Sequence, residues 1–124
     1  MRLEEDVLGR VQDMIEAIQA VEAFVGEMDE ASFLADRRSR DAVLWNLTVL
    51  GEAVRGVPAD LQDAHPEVPW ARMRGLRNLL VHEYFGIDDR IVWATATRNV
   101  LPLLEPLRRI RSQLPREADG RGDR

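Results

Sequence analysis

Residues 3–25 read Leu-Glu-Glu-Asp-Val-Leu-Gly-Arg-Val-Gln-Asp-Met-Ile-Glu-Ala-Ile-Gln-Ala-Val-Glu-Ala-Phe-Val. Leu3, Val7, Val11, Met14, Ile18, Val21 and Val25 recur at spacings of four and three, with Glu4, Glu5, Arg10, Asp13, Glu16 and Gln19 between them. That is the period of a helix with one apolar stripe, and the stripe must be buried against another element. Gly26 and the polar residues 27–30 end this helix.

The same period continues outward. Residues 31–36 suggest a short helical turn. A second long helix is expected from near Arg37, with Val43, Leu47, Leu50 and Val54 on its stripe and Leu44 and Trp45 widening it. Gly51 lies inside that helix at a cost of about 1 kcal/mol relative to Ala, which predicts a neighbouring helix packed closely against it. Gly56-Val57-Pro58 stops the helix, and Pro58, Pro66 and Pro69 punctuate a connector that has room for one short helix. A third long helix is predicted from Trp70 to Tyr84, just behind Pro69 and closed by Gly86. Asp88 suits the N-cap of a last helix, whose stripe is Trp93, Val100, Leu104, Leu107 and Leu114 and which Pro102 and Pro106 should kink. No stretch alternates with a period of two, and no internal repeat is visible. The expected fold class is all-α: an antiparallel bundle of about four principal helices plus short helical turns. Residues 1–114 would form this single domain, and residues 115–124 a flexible C-terminal tail.

Composition sets the outer bounds. The chain has 124 residues, 45% apolar and 31% charged, as expected of a globular domain with a real core. There is no cysteine, so disulfides, thiolate chemistry and sulfur-ligated metals are excluded. Charges break every apolar run, and the acidic, amphipathic start does not read as a secretory signal. The expectation is a cytoplasmic protein with no membrane association. Net charge is −5, although all 17 cationic residues are arginine. Genomic base composition is the plain reason for that bias. Arg37, Arg38 and Arg40 cluster, as do Arg72, Arg74 and Arg77, so any contact with RNA would be local.

Of the two histidines, His65 precedes Pro66 in the connector, where a capping role fits. His82 shares a predicted helix with Arg74, Arg77, Asn78, Glu83 and Tyr84. At about 100° per residue, Asn78 and His82 stand on one side with Arg74, while Arg77 is about 140° from His82. A polar strip opposite Met73, Leu76 and Leu80 is, in its plain reading, a solvated surface. Within one chain Arg77 and His82 do not face each other well, but a two-fold partner presenting the same helix can bring one subunit's arginine to the other's histidine. The sequence offers no Ser–His–acid arrangement, no metal-ligand spacing and no glycine-rich phosphate loop, and therefore no expected metal or cofactor. RNA brings its own nucleophile, the ribose 2′-hydroxyl. Its cleavage needs a base or acid such as His82, a charge clamp such as Arg77, and orienting groups such as Asn78 and Arg74.

Arg77-Asn78-Leu79-Leu80-Val81-His82-Glu83-Tyr84 reads as Arg-x4-His-x-Tyr and resembles the motif of the HEPN superfamily. More narrowly, it resembles HepT-like (DUF86) toxins encoded beside a minimal nucleotidyltransferase (MNT) antitoxin. Arg40-Asp41-Ala42-Val43, Gly51-Glu52-Ala53, Pro69-Trp70, Gly75-Leu76-Arg77-Asn78, Tyr84-Phe85-Gly86 and Trp93 look like that family's landmarks in its order. The resemblance covers roughly residues 3–110. It implies the HEPN bundle, a homodimer with its cleft between subunits, and a metal-independent endoribonuclease acting on tRNA or mRNA. Arg77 and His82 would be the catalytic pair, Asn78 the polar residue after the arginine, and Tyr84 the acceptor of AMP from the nucleotidyltransferase. An adenylate there would add bulk and negative charge beside the cleft and repel RNA. The alternatives are a catalytically silent HEPN-like dimer that docks a nucleotidyltransferase, and a helical scaffold with no dedicated partner. Glu52 reads as a surface charge or as the partner of an arginine near the cleft, and Trp45, Trp70 and Trp93 as core or interface residues.

Overall fold

The computed structural model describes residues 3–115, which form helices and the turns between them; no strand occurs among the described residues. Of the expected tail, 115–124, the residues from 116 onward lie outside them.

The first long helix, α1 (Leu3–Val25), packs chiefly on α3 (Arg37–Val54) and on α8 (Leu104–Gln113). The apolar stripe of α1 is the reason. Val11, Met14, Ile15 and Ile18 are fully buried against Val43, Leu47 and Leu50 of α3 and Leu107 of α8. Each such side chain contributes about 1.5–3 kcal/mol on removal from water. Between α1 and α3 the short α2 (Glu30–Leu34) is started by Asp29, whose carboxylate accepts from Ser32 N at 2.8 Å. That turn places Phe33 in the core, its ring 5.3 Å from that of Trp93.

Asp36 caps α3 by accepting from the backbone N–H groups of Arg38 and Ser39. The side chain of Leu44 is buried as expected, but Trp45 is not part of the stripe. It is 59% exposed, because one residue beyond Leu44 the helix has turned away from α1. The connector holds the single short helix its prolines leave room for, α4 (Ala59–Ala64). Trp70 closes the connector by donating Nε1–H to the carbonyl of its cap residue, His65, at 2.9 Å.

The predicted helix over 70–84 is two helices, α5 (Trp70–Gly75) and α6 (Arg77–Glu83), with a tightened turn at Leu76. There Leu76 N bonds Met73 O and Leu79 N bonds Leu76 O, each spanning three residues. Gly51 of α3 sits against this jog, as its position inside a helix predicted. A Cβ on Gly51 would lie 2.7 Å from Arg77 N and 2.9 Å from Met73 O.

Asp88 caps α7 (Asp89–Ala94) through Arg90 N. The chain then passes through a π-helical stretch, Thr95–Val100, and a 3-10 turn, Leu101–Leu103, before α8. Pro102 explains the irregularity, because it lacks the donor an α-helix needs there. Pro106 produces no break. It falls in the first turn of α8, where a backbone N–H has little to lose.

Candidate functional site

The site forms where α6 runs antiparallel beside α3, and two side-chain contacts fix the register. At one end Arg77 Nε lies 3.2 Å from Glu52 Oε1. At the other, Tyr84, just after α6, meets Arg37, Arg40 and Asp41 in the first turns of α3. The exposed Val81 therefore stands at the level of the exposed Trp45.

Asn78 and His82, one helical turn apart, are both exposed on α6, and Arg77 is half-exposed. Arg74 is not drawn to this group. It precedes the jog at Leu76, and its Nη1 donates to Gln62 Oε1 of α4 at 2.9 Å. The pairing of Glu52 with an arginine near the cleft, one of two readings left open by the sequence, is present as the Arg77 contact. His65 has the capping role, with Nδ1 3.3 Å from Glu67 Oε2.

The Tyr84 end is the more elaborate, and most of it escaped sequence reasoning. Arg40 is only 9% exposed. Its Nε donates to Asp89 at 2.8 Å, Nη1 to Asp41 at 3.0 Å and Nη2 to the Tyr84 carbonyl at 3.2 Å. The same guanidinium lies 4.7 Å from the centroid of the Tyr84 ring. Burial opposes the charge of Arg40, but its bonds to Asp89 and Asp41 outweigh that and strengthen its hold on the proton. The Tyr84 hydroxyl donates to Asp41 Oδ1 at 3.1 Å and accepts from Arg37 Nη2 at 3.4 Å. The hydrogen bond from Arg40, with further help from Tyr84, holds the Asp41 carboxyl below the usual carboxylate range. Arg37, Arg40, Tyr84, Asp89 and the 96% exposed Phe85 line a cavity of 230 Å³. A larger groove of 280 Å³, bounded by Met73, Leu76, Val100 and Leu103, contains none of these residues.

Arg37 and Arg40 stand in the sequence as part of an arginine cluster, and Arg40 also in a landmark of the family resemblance, but neither reading puts them beside Tyr84. A charged residue reads as surface, and nothing local announces that Arg40 is buried by contacts more than forty residues away. Among the described residues, no group of three His, Cys, Asp or Glu side chains is placed to hold a metal ion, and no helix is long and apolar enough to cross a membrane.

The fold and this seam define an all-α bundle that presents arginine, asparagine and histidine on one short helix ending in a clasped tyrosine. A family model described as ribonuclease HepT-like matches residues 14–110, and the chain belongs to that family. A protein of Thermococcus cleftensis named "Probable ribonuclease HepT" is 36% identical over 82% of this chain and 92% of its own length. A "Putative RNase" of Methanocaldococcus jannaschii is 38% identical over 72% of this chain and 74% of its own. Another "Putative RNase", of Caldanaerobacter subterraneus, is 29% identical over 86% of this chain and 88% of its own. No solved structure gives a significant match.

Proposed function

We propose that the chain is a metal-independent endoribonuclease, the toxin of a HEPN/MNT toxin–antitoxin pair, acting on tRNA or mRNA in a cleft between two copies. The observation that carries this reading is the exposure of Asn78 and His82 one turn apart on α6, with Arg77 on the same short helix, in a chain of this family. His82 takes the proton of the ribose 2′-hydroxyl. The oxygen attacks phosphorus, the bond to the 5′-oxygen breaks, and that oxygen receives a proton from the His82 of the second copy. Arg77 meets the negative charge that builds on the phosphoryl oxygens, and Asn78 orients them. The products are a 2′,3′-cyclic phosphate and a 5′-hydroxyl.

A second copy supplies what one chain lacks. Arg77 and His82 are about 140° apart around α6, so neither can serve the other's phosphate within a subunit. The exposed Trp45 and Val81 stand level with each other on the same seam and give a two-fold partner apolar surface to cover. Tyr84 is the acceptor of AMP from a nucleotidyltransferase antitoxin, and the charge added there keeps RNA out.

The test is cleavage of total tRNA and of an unstructured RNA, with chelator present, by wild type, His82→Ala and Arg77→Ala. Wild-type cleavage that leaves cyclic ends and falls at least about 100-fold in both variants is expected. Equal cleavage by wild type and His82→Ala overturns the proposal. If the unmodified wild type cleaves nothing, the chain is a docking module for the nucleotidyltransferase.

A further inference from the structure

The Tyr84 hydroxyl is held more elaborately than a packing role requires. It donates to Asp41 Oδ1 and accepts from Arg37, while Arg40 stacks on its ring and grips its carbonyl. Arg37 and Asp41 are four residues apart, so they project from one face of α3. The two arginines differ in what they have to spare. Arg40 spends its donors on Asp89, Asp41 and the Tyr84 carbonyl. Arg37, its side chain 73% exposed, has a weak hold on Asp41 at 3.7 Å and the bond to the hydroxyl, and faces the 230 Å³ cavity.

We propose that Asp41 and Arg37 prime Tyr84 as a phosphoryl-group acceptor, Asp41 taking the hydroxyl proton and Arg37 meeting the incoming phosphate. This rests on the reading that Tyr84 is the modified residue. Tyr84 Oη attacks the α-phosphorus of a nucleoside triphosphate presented by the nucleotidyltransferase. The new O–P bond forms as the bond from that phosphorus to the bridging oxygen breaks, and pyrophosphate leaves with the electron pair. The hydroxyl proton passes to Asp41 Oδ1 and from there to water. Arg37, displaced from the hydroxyl, pairs with the phosphodiester that has replaced it. Asp41 thus acts as the proton acceptor of this modification and Arg37 as its phosphate-binding group.

The chain has one tyrosine, so a tyrosine-directed reagent reports on this hydroxyl alone. The experiment is acetylation of the full chain by N-acetylimidazole, followed by ultraviolet absorbance, in wild type, Asp41→Asn and Arg37→Gln. Both replaced side chains are exposed, and Asn preserves the hydrogen-bonding shape of Asp but cannot take the proton. Priming predicts that Asp41→Asn reacts about tenfold or more slowly than wild type, whereas Arg37→Gln reacts at nearly the wild-type rate with this neutral reagent. A clasp that is merely structural leaves Asp41→Asn as fast as wild type, and that result overturns the proposal.

The second arm uses ATP, a purified minimal nucleotidyltransferase of the MNT type, and mass spectrometry of Tyr84. Here both variants are expected to lose adenylyl transfer by about tenfold. Wild type left unmodified overturns the modification reading and with it the role of Arg37. The acetylation rates still decide the role of Asp41.

Discussion

Arg77 Nε lies 3.2 Å from Glu52 Oε1, so the arginine assigned to the phosphate clamp rests on a carboxylate of the neighbouring helix. Both side chains are substantially exposed, and such a pair contributes at most about 1 kcal/mol to folding. In the proposed reaction its weight is in competition, because there an RNA phosphate takes the place of Glu52 on Arg77. Glu52→Gln is expected to leave the urea midpoint nearly unchanged and to lower the KM for RNA several-fold, as measured by initial cleavage rates against substrate concentration. A higher KM would mean that Glu52 aims the guanidinium instead of withholding it.

Gly51 and Gly9 are both helical glycines, and the structure gives their replacement opposite signs. At Gly51 a Cβ meets the backbone of Arg77 and Met73, which cannot swing aside, so Gly51→Ala is expected to cost about 1–3 kcal/mol despite alanine's better helix propensity. At Gly9 nothing lies within 4 Å, and Gly9→Ala is expected to stabilise by about 0.5–1 kcal/mol. Chemical denaturation of both variants checks the pair.

Arg40 joins three segments: α3, the residue that ends α6, and the first turn of α7. Arg40→Ala is expected to destabilise by about 2–3 kcal/mol, because Asp89 and Asp41 lose a charged donor and a buried stem is removed. Arg40→Lys should recover little of this, since a single ammonium cannot reproduce three directed bonds. Urea melts measure both. Cleavage is expected to fall as well, because the end of the helix carrying His82 is no longer tied down.

The Asp41 carboxyl is held below its ordinary range by Arg40 and Tyr84, so the folded state binds its proton more weakly than the unfolded chain does. The stability this gives is complete above the unfolded pKa of about 4 and is lost as pH falls through the lower, folded value. Asp36, held down by its bonds to Ser39, acts in the same window. Unfolding free energy is expected to decline below about pH 4, with a shallower slope in Asp41→Asn than in wild type.

The apolar period made the long helices readable, since it follows from burying one face against a partner. The cap at Asp88 and the stop of α3 ahead of Gly56-Val57-Pro58 are local chemistry, and they fall where the sequence places them; Asp36, read as part of the turn before α3, is its cap. The break at Leu76 carries no proline, and Gly75 just before it is only a weak helix breaker; the α5–α6 backbone there lies against Gly51 of another helix. Trp45 reads from the sequence as widening the stripe and as a core or interface residue; its angle on α3 takes it off the stripe and out of the core and leaves it exposed. At the site, His82, Arg77 and Tyr84 could be singled out from one short run. Arg37, Arg40 and Asp41 join Tyr84 through folding alone, at separations a motif cannot span.

The stretch from Thr95 to Leu103 has a consequence for how α8 meets α1. A π turn is underwound relative to an α-helix, so each residue lags in angle, whereas the 3-10 turn that follows is overwound and runs ahead. The two errors have opposite sign and offset each other. Val92, Ala96 and Val100 before Pro102, and Leu103, Leu107 and Ile110 after it, all reach the core as though one regular helix carried them. Angular phase is conserved through a segment whose hydrogen bonding is not, and the proline is accommodated without turning the last helix away from the bundle.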